Sequence, residues 1–182
     1  MLASNPKVLL TVPHAGCFYV PIGQRMCDTA ALRAARHLSD AFARLGARCT
    51  MTANTETPRW QYDMNRSTAR QTPWRTEVDS RLIPDSDVVM DIHSFPASYQ
   101  NFGRSEVTVM AIVPVENLPI EIYTALVSAG VVSTLVSGTE ENDICVLARR
   151  AGKRTVLLEF NESLDDATMF RAAKVISEAV CR

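Results

Sequence analysis

The chain has 182 residues, 47 % of them hydrophobic, enough for one packed domain, and an independent second domain is not expected. Nineteen Lys and Arg against 20 Asp and Glu leave a net charge of -1, so nothing electrostatic draws the chain to nucleic acid or an anionic membrane. No segment reaches the roughly 18 uncharged apolar residues of a membrane span, and residues 1–7 lack a basic region leading into an apolar run, so a soluble, cytoplasmic protein is expected.

Lys7 to Val12 reads as a short apolar strand stopped by Pro13, and Ala15 to Gln24 as a loop. Asp28 fits the N-cap or first turn of a helix in which Leu32, Ala35, Leu38, Phe42 and Leu45 recur at helical spacing up to a Gly46 stop. Arg48 to Ala53 is the next strand, and a right-handed crossover makes the pair parallel. Between Asn54 and Pro84 the composition turns polar, with a long and partly irregular excursion expected. Strands follow at Asp87 to His93, Val107 to Val113, Thr134 to Gly138 and Arg154 to Phe160, and helices at Leu118 to Ala129, Asn142 to Ala151 and Asp165 to Val180. This alternation predicts a single-domain α/β fold, its central, mostly parallel mixed sheet covered by helices on both faces.

Two of the three histidines, His14 and His93, follow apolar β-branched runs, which predicts both at the carboxyl ends of sheet strands, where α/β folds keep their chemistry. Two imidazoles so placed can converge on one ion; His37, inside the first predicted helix, reads as structural. A catalytic zinc takes three protein ligands and leaves one position open. Asp28 is the first candidate for the third ligand, if its loop folds back, and Cys17, three residues after His14, is the second. Asp91 shares a strand face with His93 and fits an outer role or a ligand role less well than the other candidates fit theirs. The five cysteines are odd in number, widely spaced and free of any CxxC pair, so reduced thiols are expected.

Glu159 ends an apolar strand, where an unpartnered carboxylate is costly. Beside a metal it suits a general base that later acts as general acid, and Glu162 takes that role if the register slips. Asn65 and Arg66 supply an amide and a planar guanidinium suited to a carboxylate, with Arg59 and Arg104 as further cations for an anionic substrate.

Pro13-His14-Ala15-Gly16, Pro58-Arg59, Asp63-Met64-Asn65-Arg66, Asp91-Ile92-His93-Ser94 and Leu158-Glu159-Phe160, in that order, resemble the N-formylglutamate amidohydrolases. More distantly they are similar to zinc carboxypeptidases and aspartoacylase-like deacylases. The resemblance implies a phosphorylase/hydrolase-like, zinc-carboxypeptidase-like domain over residues 1–182. It further implies one zinc ion (Zn2+) on His14, His93 and an acidic residue, which favours Asp28, with Asn65 and Arg66 gripping a substrate carboxylate and Glu159 as base. The His14 loop departs from the carboxypeptidases in having no acidic residue three positions on. The activity implied is hydrolysis of an N-acyl or isopeptide bond beside a carboxylate, on a small N-acyl amino acid or short peptide. The alternatives are a metallopeptidase or poly-γ-glutamate hydrolase, a non-catalytic binding protein derived from this fold, and a cysteine hydrolase using Cys17 with His14.

Overall fold

The computed structural model describes residues 5–17, 27–99, 103–112, 115–137 and 142–182. Its sheet holds β1 (Lys7–Val12), β2 (Arg48–Ala53), β3 (Val88–Phe95), β4 (Val107–Ala111), β5 (Ser133–Ser137) and β6 (Arg154–Asn161), in the order β2-β1-β3-β6-β4-β5. β2, β1, β3 and β6 run parallel; β4 is antiparallel to β6, and β5 is parallel to β4. The mostly parallel mixed sheet expected from the sequence is therefore present. The helices are α1 (Ala31–Arg44), α2 (Pro73–Glu77), α3 (Asn117–Ser128), α4 (Asp143–Arg150) and α5 (Asp166–Val180).

Strand alternation sends the two halves of each strand's side chains to different partners. Val8, Leu10, Val12, Val88, Met90, Ile92, Val156, Leu158 and Phe160 join the buried apolar residues of α1, α3 and α5 in one large core. On the opposite face a smaller cluster of Leu9, Val89, Val78, Ile83, Ile144 and Ala148 packs the sheet against α4 and the helical turns after α2. Gly46, at φ +72°, turns the chain out of α1 into β2, the stop expected there.

Several boundaries differ from expectation. α1 starts at Ala31 rather than near Asp28, and its N-cap, Ala30, makes no side-chain capping bond. β3 runs two residues past His93, because its ladder with β6 continues through Ser94↔Phe160 and Phe95↔Asn161, and this also places Glu159 inside β6 rather than at its exit. The polar excursion is built of short helical pieces: a 3-10 turn over Ser67–Ala69, α2 with Thr72 as N-cap, and a π turn over Val78–Leu82. Most of the Ala15 to Gln24 loop, together with Val113 and Gly138, lies outside the described residues. Among the described residues no helix is long and apolar enough to cross a membrane.

Cys17 and Cys27 form a disulfide, contrary to the expectation of five reduced thiols; Cys49, Cys145 and Cys181 are free. Their ten-residue spacing fits no motif, but the hydrogen bond from Asp28 N to His14 O (3.1 Å) folds the two flanks of the loop together. The bond removes Cys17 both as a metal ligand and as a nucleophile paired with His14.

Candidate active site

His14 stands two residues beyond β1, and the chain must return from the following loop to bring Asp28 beside it. Three contacts secure that return. Ala30 N donates to Ser94 Oγ (3.1 Å), Thr29 N donates to Glu162 Oε1 (2.9 Å), and Ser94 Oγ donates to the same carboxylate oxygen (3.1 Å). Glu162 is thus engaged in holding the turn that carries Asp28, which accounts for it without the alternative role of base. Asp28, freed from capping α1, aims its carboxylate inward.

Asp28 Oδ2 lies 3.2 Å from His14 Nδ1 and 2.8 Å from His93 Nδ1, and the two imidazole rings meet edge to face with centroids 4.9 Å apart. All three side chains are buried, and one ligand atom from each falls within 4.8 Å of the others. Burial alone would raise the Asp28 pKa, but hydrogen bonds from both histidines outweigh it and hold the carboxyl well below the usual range. Burial would lower His93, yet the charge of Asp91 and hydrogen bonds to Asp28 and Asp91 raise it well above an ordinary histidine. Two imidazole nitrogens and a carboxylate oxygen converge here from separate elements, a donor set that could hold a metal ion.

Each histidine is also gripped from behind. His14 Nε2 donates to Asp63 Oδ1 (2.7 Å), and His93 Nε2 to Asp91 Oδ2 (3.0 Å). Such outer carboxylates fix the ring and strengthen the other nitrogen as a ligand. Asp91 has no exposed surface and also accepts from Thr11 Oγ1 (2.6 Å) and Asn142 Nδ2 (3.2 Å). Asp63 was given no role by sequence reasoning; the signal available was its place two residues before Asn65 in the polar excursion. Burial would raise Asp63, but its hydrogen bond and charge contact with His14 bring it well below the usual range.

Glu159 sits directly across the ladders from His93 on β3 and Thr108 on β4, so the three side chains share one face. Burial pushes its carboxyl up to about 7, partly offset by the His93 charge. Arg59 lies 3.5 Å from Asp28 Oδ1 and 3.6 Å from Asp63 Oδ2, and Arg66 lies 3.7 Å from Asp63 Oδ2. Both guanidinium groups therefore stand over the acidic side of the cluster. Asn65 Nδ2 approaches His93 Nε2 at 3.2 Å, while Asn65 Oδ1 is buried with no hydrogen-bond partner. Arg104 is exposed in the turn before β4 and makes no hydrogen bond or ion pair with these residues. His37 lies on α1 beside Asp166 and Phe170, away from the cluster, as a structural residue.

The fold is shared with solved structures of other proteins. A gene product of Agrobacterium tumefaciens, Atu2144, superposes with a TM-score of 0.74 at 19% identity, over 96% of this chain and 89% of that one. The CwlD amidase from Clostridioides difficile, in complex with the GerS lipoprotein, matches with a TM-score of 0.65 at 13% identity, over 97% and 96%. The N-formylglutamate amidohydrolase from Ralstonia eutropha matches with a TM-score of 0.53 at 15% identity, over 97% and 93%. At such identities the likeness establishes the fold alone. No family model matches the sequence, and no curated protein matches it.

Proposed function

We propose that the protein is a zinc-dependent amidohydrolase that cleaves an N-acyl or isopeptide bond beside a carboxylate, with N-formylglutamate-like compounds as the nearest named substrates. The observation that carries this reading is the buried meeting of His14, Asp28 and His93, with Glu159 on the same sheet face as His93. Two of the structures sharing the fold are named as amidases or amidohydrolases, which agrees with the same chemistry.

His14, Asp28 and His93 would hold the ion. When bound, a zinc ion supplies Lewis acidity, polarising the scissile carbonyl and easing loss of a proton from water. Glu159 takes that proton and returns it to the leaving amine; a carboxyl near pH 7 is matched to both tasks. Arg66 and Arg59 draw the substrate carboxylate to the rim by charge and two-point hydrogen bonding. The buried Asn65 amide, 3.2 Å from His93 Nε2, stands beside the cluster where it can meet the substrate amide. Arg104, exposed in the turn before β4, is a further cation for an anionic substrate.

A panel of formyl-, acetyl- and γ-glutamyl-amino acids tests the reading. The expected result is chelator-sensitive hydrolysis of an N-acyl amino acid bearing a side-chain carboxylate. Preference for γ-glutamyl chains would transfer the site to the poly-γ-glutamate reading, and inertness toward the whole panel with zinc bound would favour a binding protein.

A further inference from the structure

Among the described residues Arg75 is the largest side chain with no exposed surface, and it lies outside the His14–Asp28–His93 cluster. A guanidinium has five N–H donors, and in Arg75 every one is occupied. Nε donates to Asp79 Oδ1 (3.2 Å); Nη2 donates to Asp79 Oδ2 (3.1 Å) and Asp143 Oδ2 (2.7 Å); Nη1 donates to the backbone oxygens of Met64 (2.6 Å) and Arg66 (3.3 Å). The carbonyl between those two, that of Asn65, accepts from Asp143 N (3.1 Å). Three consecutive carbonyls of the turn carrying Asn65 and Arg66 are therefore held by Arg75 and the first residue of α4. Asp143 is itself fixed from the other side by Arg70, through Nε (2.9 Å) and Nη2 (2.5 Å).

We infer that the Arg75–Asp143 pair is a positioning device for the substrate-binding turn, setting the Asn65 amide and the Arg66 guanidinium at the height of the metal cluster. This rests on the amidohydrolase reading for what the turn binds. A pair serving stability alone needs only carboxylate partners, whereas Arg75 spends two donors on the backbone of this turn. The preceding residue, Asn142, donates to Asp91, which orients His93, so the start of α4 ties the binding turn and one metal ligand to a common anchor. Lysine cannot replace Arg75, since one ammonium cannot span two carboxylates and two carbonyls in a plane.

The test uses the full zinc-loaded chain carrying Arg75→Met, Arg75→Lys or Asp143→Asn, with N-formyl-L-glutamate as substrate and L-glutamate as binding probe. Zinc stoichiometry and thermal unfolding are measured alongside. The expected result is one zinc retained, KM raised about tenfold or more with kcat within about threefold, and faster amide hydrogen exchange across residues 64–66 than elsewhere. Arg75→Lys is expected to fail to rescue. If Arg75→Met does not fold, Asp143→Asn is judged by the same criteria. Folded variants with unmoved KM and unmoved exchange at 64–66, in an active wild-type background, overturn this inference alone. A wild-type chain that neither hydrolyses nor binds the probes overturns the amidohydrolase reading instead.

Discussion

The two faces of the sheet are built from the same strands and do different work. On the face under α1, α3 and α5, β3 presents Val88, Met90 and Ile92, and β1 and β6 add Val8, Leu10, Val12, Val156, Leu158 and Phe160 to the same core. On the other face β3 runs Val89, Asp91, His93, passing from a small apolar cluster to a charged network within three side chains. Stability is thus concentrated on the first face, and the second can spend its burial on polar groups that bind and orient. The polar face keeps those groups by pairing them. Apart from Asn65 Oδ1 and the hydroxyls of Thr108 and Thr155, every buried side-chain nitrogen and oxygen among the described residues has a hydrogen-bond partner.

The sharpest way to break this division is Glu159→Gln. It is expected to lower turnover by about 10²- to 10⁴-fold while one zinc per chain remains, because only proton transfer is removed. Undiminished turnover with the metal in place would show that Glu159 is not the base. Phe42→Ala, on the apolar face, is expected to cost about 3–5 kcal/mol in denaturant unfolding, since the ring is wholly buried. The zinc stoichiometry of its folded fraction should not change.

Asp63→Asn is a milder change on the polar face. Losing the carboxylate behind His14 is expected to weaken zinc about 10- to 100-fold in competitive chelator titrations with little change in unfolding temperature. pH separates the faces further. Because His93 is held protonated above its ordinary 6.5 in the metal-free chain, zinc must displace a proton. Zinc affinity should therefore rise with pH until the folded-state pKa of His93 is passed, with proton release visible by calorimetry in buffers of different ionisation enthalpy. The same shift means that the stabilisation of the metal-free chain by protonated His93 is complete below about pH 6.5 and is lost as pH rises through the raised value. The smallest effect is expected from Arg33→Ala, which removes an exposed pair with Asp166 at 3.1 Å; its cost in unfolding experiments should stay below about 1 kcal/mol.

The apolar face was almost wholly legible in the sequence, because periodicity reports burial directly: the residues spaced to form one stripe of α1 include Ala35, Leu38 and Phe42, all in the core. The strand-by-strand layout followed for the same reason, but alternation carries no direction, so nothing in Val107 to Ala111 announced that β4 runs antiparallel to β6. His14 and His93 stood out because polar groups at the ends of apolar runs demand a use, and Asp28 followed as the third member. What could not be read depends on pairing across distance. Arg75 lies in a stretch whose composition matches a solvated loop, and its burial depends on meeting Asp79, Asp143 and the carbonyls of Met64 and Arg66. The Cys17–Cys27 bond was hidden likewise, since a spacing of ten carries no motif and the return of Asp28 to His14 brings the flanks of the loop together.

The central claim is that His14, Asp28 and His93 jointly hold one metal ion, and zinc titration of the metal-stripped chain by calorimetry tests it most directly. One site per wild-type chain, absent from both His14→Ala and His93→Ala with the fold retained, is the predicted result. A wild-type chain that takes up no zinc, or single-histidine variants that bind it as tightly as the wild type, would contradict the account.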